Sequence, residues 1–519
     1  MYQRHPYQPK QNIGLPDIWI KNCRVATKAG LITGGKTCQR FLWIFQGGFP
    51  NIPTGGNLVT TRGSIMAYLG LLAGLALLIF LALRGVNILF ASLLCGLVVA
   101  LSNGLPIAEA FSQYYAVGPL GTFSFAGKFF LLFIAGAIFG RIMGESKAAS
   151  SIALSLVDRL GADRALWITV ISCALLTYGG VVVFVVIFAM YPLGLSLLKQ
   201  ADIPKRLFCA ALALGAGTFT LAALPGTPSI QNVIPSVALG TDLFAAPGLG
   251  LLGGAIMFAL GMAYLERQRR AAKAAGEGFE PGPNDKVENM VASDDMPSWH
   301  LAIIPLVFVL GTILLPRLLL TLGLAPESGV IADIIQFAKG QPIFWPSLAL
   351  ILGSVLAYLL FANLRGRGLQ VFGDGTNDAI FPLLNTAAVI GFGGIVVQTI
   401  GFQDFSSAML NSGLPPKLSA FASVSVVSAI TGSASGGLQI FMSTMADAYL
   451  AMGIPAEELH RLTAMASGGF DSLPHCGAVI AMLTVTQLTH KQAYKDVGVI
   501  TVVIPVTATL ICLAVSMIV

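Results

Sequence analysis

The chain has 519 residues, of which 55% are hydrophobic and only 10% charged, and its mean hydropathy is +0.80. A soluble protein carries roughly a quarter of its residues as charges, so the composition excludes a soluble globular fold and indicates an all-α polytopic membrane protein. Seven cysteines, an odd number with Cys95, Cys173, Cys209 and Cys512 in apolar runs, argue against a disulfide framework. The sequence has no glycine-rich loop ending in Gly-Lys-Ser/Thr and no zinc-type Cys/His spacing, so nucleotide-driven pumping and a metal site are not indicated.

Residues 1–65 hold eight Lys and Arg against a single acid, Asp17, a local balance of +7. The remainder carries 22 basic and 23 acidic residues, so the basic character belongs to this leader, and nucleic acid is not an expected partner. The leader shows no periodicity, and its apolar patch, Phe41–Phe45, is too short for a signal-peptide core. A clean apolar run begins at Met66, so the expectation is a natural start there. The leader is then a start-site artefact or a disordered basic tail.

A span needs about 20 apolar residues. Ten are expected, at about 66–83, 86–102, 121–140, 207–239, 247–265, 300–321, 343–361, 377–401, 462–488 and 497–518, with 207–239 and 462–488 broken. The segments 165–197 and 418–450 are too long for one span and are interrupted by small residues, which predicts two re-entrant hairpins. A polar linker, 266–299, separates a first half, 66–265, from a second, 300–519.

The halves repeat. Phe139-Gly140 recurs as Phe392-Gly393, Thr177 as Thr431, Ile203-Pro204 as Ile454-Pro455, and Leu224-Pro225 as Leu473-Pro474, at offsets of 249 to 254 residues. Lys and Arg cluster in loops that share one side if Met66 starts outside, with Arg317 and Lys128 as mild exceptions. On that scheme the hairpins enter from opposite faces, giving two inverted repeats.

Inverted repeats with matched interruptions point to a transport site near the midplane. The first-half candidates for substrate contact are Tyr178, Thr227, Ser229, Gln231 and Asn232; those of the second half are Ser433, Ser435, Gln439 and Ser472. Gly179, Gly180, Pro225, Gly226, Gly432, Gly436, Gly437 and Pro474 shape the breaks. Exposed N–H groups at half-helix starts suit a carboxylate, and neutral hydroxyls and amides suit substrate hydroxyls. Glycine and serine in membrane helices also serve close packing, so each of these positions has a structural alternative. Asp471 and His475 differ: an acid inside a span marks an ion or proton path, and histidine titrates near physiological pH. The pair is the candidate for proton coupling, with a mutual hydrogen bond that fixes the break as the alternative. The other histidines, His5, His300, His460 and His490, are expected to be solvated.

Ser467-Gly-Gly-Phe-Asp-Ser-Leu-Pro-His-Cys-Gly-Ala-Val-Ile480 and Leu488-Thr-His-Lys-Gln-Ala-Tyr-Lys-Asp496 resemble the C-terminal signature of the gluconate permease family, in the branch that includes permeases for D-3-hydroxybutyrate. Thr431-Gly-Ser-Ala-Ser-Gly-Gly437 and Pro225-Gly-Thr-Pro-Ser-Ile-Gln-Asn232 resemble its other polar stretches, and the resemblance runs from Met66 to Val519. It implies a proton-coupled carboxylate symporter of the bacterial inner membrane, of the elevator type, without a cofactor. Related carriers are commonly dimers, so a homodimer is the assembly it implies. The Asp-Ser-Leu-Pro-His run departs from the gluconate-specific members and favours a smaller hydroxy acid. A sodium-coupled di- or tricarboxylate carrier, a passive anion channel and an intramembrane hydrolase are the competing readings. The last is weak, because the centre of Gly432-Ser-Ala-Ser-Gly436 is Ala434, not a serine nucleophile.

Overall fold

A computed structural model describes residues 61–518 except 162–163, 182, 283–284 and 286–295. The expectations about the leader fall outside the described residues, apart from 61–65, which form the first turns of the opening helix.

The described chain is all-helical. The first half comprises α1 (Thr61–Leu83), α2 (Ile88–Ser102), α3 (Ile107–Glu109) running into a π-helical turn (Ala110–Val117), α4 (Thr122–Glu145) and α5 (Ala148–Leu160). The pair α6 (Ala165–Tyr178) and α7 (Val183–Ala201) follows, then α8 (Lys205–Gly217), a π turn (Phe219–Ala223), α9 (Ile230–Leu239) and α10 (Pro247–Ala274). The second half holds α11 (Trp299–Thr321), α12 (Val330–Gly340), α13 (Phe344–Leu360), α14 (Gly368–Val396) and α15 (Ile400–Leu410). After them come α16 (Pro416–Thr431), α17 (Ala434–Thr444), α18 (Ala446–Ala451), α19 (Ala456–Phe470), α20 (Gly477–Thr486), α21 (His490–Gly498), a π turn (Val499–Val503) and α22 (Ile504–Ile518).

Seven stretches among the described residues are long and apolar enough to cross a bilayer, or eight if α12 and α13, bent by 111° at their junction, form one broken span. The sequence leads to ten. The difference lies in short elements: α2 has 15 residues, and the broken spans divide into helices of 10 to 15. The bend at α12 is new, because 323–342 falls between two expected spans, 300–321 and 343–361. The chain is a multi-pass membrane protein, and among its spanning helices α4 and α14 pack against each other.

The two halves meet by exchange. The first-half helix α9 packs on α17 and α19 of the second half, and the second-half helix α20 packs on α7 of the first. Gly437 of α17 lies so close to Ser428 of α16 that an added Cβ would stand 2.5 Å from its Cα. Nine residues of continuous helix would separate them by about 13 Å, so α16 and α17 fold back on one another.

The linker also docks. α10 continues to Ala274, past the expected boundary. Beyond it, Glu277 takes a two-pronged pair from Arg206, both contacts at 2.7 Å. Arg206 also reaches Asp496, which accepts from Tyr264 at 2.8 Å. Asp285 is enclosed by Lys205 Nζ at 2.8 Å, the Tyr191 hydroxyl at 2.7 Å and Gln487 Nε2 at 2.9 Å. The linker thereby ties α7 and α8 to the end of α20.

Candidate functional site

The second-half break opens where α19 stops at Phe470 and α20 begins at Gly477. Pro474 has no N–H to continue a helix. Asp471 sits at the end of α19 and accepts from Ser472 Oγ at 2.8 Å. The loop is fixed to α21: Tyr494 donates to Ser472 O at 3.0 Å, and His490 Nε2 to Pro474 O at 2.8 Å. His490 is therefore part of the break rather than a solvated residue. His475 Nε2 donates to Ala429 O of α16 at 3.2 Å, so the break is bonded to the helix before the hairpin tip. Asp471 and His475 show no bond to each other, which leaves the mutual-bond alternative without geometric support.

At that tip Gly432 adopts φ +60° and ends α16, the left-handed conformation that glycine takes without penalty. Ser433 then caps α17, its Oγ accepting from Gly436 N at 3.2 Å and lying 3.2 Å from Ser435 Oγ. Gly436 packs on Val389 of α14. Gln439, farther along, donates to Ser443 Oγ at 3.1 Å.

The first-half break is built differently. Its π turn gives way to extended backbone at Leu224, and Gly226, with φ +82°, donates to Leu243 O at 2.9 Å. Tyr178 donates its hydroxyl to Pro225 O at 2.8 Å, and Ser229 donates to Leu221 O at 2.6 Å. Thr227 and Asn232 are fully buried. Asn232 Nδ2 donates to Thr227 O at 2.8 Å and to Leu243 O at 2.9 Å. Gly179 and Gly180 leave room for Leu306 and Leu350.

A cavity of about 1250 Å³ lies between these parts. Ser229, Gln231, Ser433, Ser435, Asp471, Ser472 and His475 line it, with Gly180 and Gly432. Tyr178, Thr227, Asn232 and Gln439 do not, nor do Gly179, Pro225, Gly226, Gly436, Gly437 and Pro474. Those residues hold loop and packing positions instead. Two helix starts, of α9 and α20, open onto the cavity through Ile230, Gln231, Gly477, Ala478 and Val479. Neither start is capped by a side chain, so first-turn N–H groups and the positive helix end face the space. Towards another part of the lining, Arg141 pairs with Asp378 and Glu145, each at 3.2 Å.

Sequence reasoning missed His460 and Arg461. Both are 0% exposed, which corrects the expectation that His460 is solvated. Next to Glu457 and Glu458 the pair reads as an interfacial helix end, yet Leu459 through Gly469 are buried throughout. No feature of the local sequence separates this arginine from one at a membrane surface.

The profile described as GntP family permease matches residues 66–518. The chain is 39% identical over 462 residues to the uncharacterized transporter YxjC of Bacillus subtilis, covering 83% of this chain and 95% of that protein. It is 24% identical over 364 residues to a high-affinity gluconate transporter of Escherichia coli, covering 67% and 74% of the two chains. With the Gnt-II system L-idonate transporter of the same organism the identity is 25% over 340 residues, covering 63% and 70%. A chain that matches the family over its whole membrane-spanning body, and that surrounds one cavity with helix breaks from both halves, belongs to the GntP permease family of transporters, not to an enzyme family.

Proposed function

We propose that this transporter is a symporter that carries a small hydroxycarboxylate, of the 3-hydroxybutyrate or sugar-acid type, across the bacterial inner membrane, with a proton as coupling ion. The observation that carries this reading is the single cavity onto which two uncapped helix starts, three serines and the Asp471–His475 break all open. N–H groups at the helix starts suit a carboxylate. Ser229, Gln231, Ser433 and Ser435 offer hydrogen bonds to substrate hydroxyls without a further buried charge. The gluconate and L-idonate transporters among its relatives, by name, handle hydroxylated acids, in agreement with that chemistry.

In this reading α6–α7 and α16–α17 are the paired re-entrant hairpins of two inverted repeats, moving with the breaks in an elevator-type cycle. Asp471 carries the coupling proton and His475 assists it. The first-half break has no ionisable group between Leu224 and Asn232, so coupling resides in the second half.

The test is uptake of labelled 3-hydroxybutyrate, gluconate and a dicarboxylate into proteoliposomes, with an imposed proton or sodium gradient. Accumulation driven by the proton gradient is expected. Accumulation driven by sodium alone rejects proton coupling, and equilibration without accumulation rejects coupled transport.

A further inference from the structure

The buried pair His460–Arg461 lies on α19, a second-half helix, yet the hydrogen bonds of its side chains among the described residues go to the first half. Arg461 donates from Nε to Ala245 O at 3.0 Å, from Nη1 to Ala223 O at 3.1 Å and from Nη2 to Leu243 O at 3.1 Å. No carboxylate lies within ion-pairing distance of it among the described residues. Asp242, the chain neighbour of Leu243, is held by Arg317 at 2.7 Å. The guanidinium is therefore satisfied by carbonyls, and they come from both sides of the first-half break: Ala223 before it, Leu243 and Ala245 after α9.

His460 bonds to Thr241 Oγ1 through Nδ1 at 2.7 Å and to Asn232 Oδ1 through Nε2 at 2.9 Å. The amide of Asn232 is oriented by its two carbonyl acceptors, so Oδ1 faces the ring as an acceptor. Nε2 must then carry the proton, and Nδ1 accepts from the threonine. Leu243 O gathers donors from Gly226 N, Asn232 and Arg461. Ala223 belongs to the loop that leads to Ser229 and Gln231 at the cavity, and the segment that holds Thr241, Leu243 and Ala245 is tied to the same loop through Gly226 N and through Asn232, which also bonds Thr227 O.

We propose that Arg461 and His460 are positioning residues: they lock the 223–229 loop so that the second half sets where the first half's cavity residues stand. Asn232 belongs to this lock, not to the substrate contacts. A planar fork reaching three carbonyls on two segments cannot be copied by the point charge of lysine. This inference rests on the cavity's being the transport site, but its main test does not require the substrate to be known.

The experiment places a single cysteine at Ser229, or at Ser433 as the second-half reference, in the full chain with its seven native cysteines replaced. The rate of labelling by a small membrane-impermeant thiol reagent is then compared between backgrounds. Losing a buried hydrogen-bonded partner raises local opening by roughly tenfold or more. Arg461→Lys and His460→Leu are expected to speed labelling at Ser229→Cys by that factor while leaving Ser433→Cys within about twofold. His460→Gln, whose amide N–H can replace Nε2–H towards Asn232, is expected to restore the slow rate. In transport, Arg461→Lys should raise KM more than it lowers maximal rate. Unchanged labelling at Ser229→Cys, equal acceleration at both sites, or no difference between His460→Gln and His460→Leu overturns the proposal. Failure to transport any hydroxy acid with the labelling pattern intact instead rejects the substrate reading alone.

Discussion

The imidazole of His475 lies against the backbone of Gly432, so close that a Cβ added at Gly432 would stand 2.5 Å from His475 Cδ2. The break and the hairpin tip are therefore in direct contact, and His475 is also bonded to Ala429 O of the same hairpin. A side chain at position 432 meets two obstacles: the left-handed backbone, which costs about 1–2 kcal/mol for a residue other than glycine, and the ring. Asparagine tolerates that backbone better than alanine but keeps the Cβ. If the ring contact dominates, Gly432→Ala and Gly432→Asn lose transport together, in uptake assays normalised to folded protein. Asparagine close to wild type shows instead that the ring yields and backbone conformation is the requirement.

Asp471→Asn keeps an oxygen to accept from Ser472 but cannot carry a proton. The expected outcome is loss of accumulation driven by a proton gradient, with substrate exchange across the membrane retained. Counterflow and gradient-driven uptake, measured on the same vesicles, separate the two. Full gradient-driven accumulation in the variant removes Asp471 from the coupling step.

The docked linker predicts an acid-sensitive stability. Burial pushes the Asp285 carboxyl up, but Lys205, the Tyr191 hydroxyl and the Gly282 N–H outweigh it and hold it below the ordinary carboxylate range. The Arg206 fork holds Glu277 down as well. A depressed carboxyl contributes stability above its unfolded pKa and loses it as pH falls through the folded value. The melting temperature in detergent should be level near neutrality and fall below about pH 5, less steeply in Asp285→Asn. Asp285→Ala strands the Lys205 ammonium, itself only 6% exposed, which costs about 3–5 kcal/mol. Glu277→Ala, at a more exposed pair, should cost no more than about 1 kcal/mol.

How much of this was legible in the chain follows from where each residue's meaning resides. Asp471, Pro474 and Gly432 announce themselves because an acid, a ring-locked backbone and a left-handed turn are expensive inside an apolar run. Their neighbours Ser433 and Ser435 follow from that placement. Arg461 is the opposite case. Its partners are backbone carbonyls more than 200 residues away, and carbonyls carry no sequence identity. Asn232 reads from the sequence as a substrate contact at the first-half break and not as a member of the lock, because that depends on His460. The bend between α12 and α13 was hidden for another reason: Val330–Gly340 is apolar on one side and short, which fits an outer loop helix as well as half of a broken span.

The cavity's neutral polar groups come from both halves, and that arrangement makes a quantitative prediction. Gln231 belongs to the first half and Ser435 to the second, and both line the space. If each donates one hydrogen bond to a bound hydroxy acid, then Gln231→Leu and Ser435→Ala each lose about 1 kcal/mol of binding, a rise in KM of about fivefold. Two contacts to separate groups of one ligand, without shared partners, should combine additively. The double variant is then expected near twenty-five-fold in KM, with maximal rate changed far less. An effect in the double variant no larger than in either single one would mean that the two side chains serve a common structural step. The substrate would in that case be held by the helix starts of α9 and α20 alone.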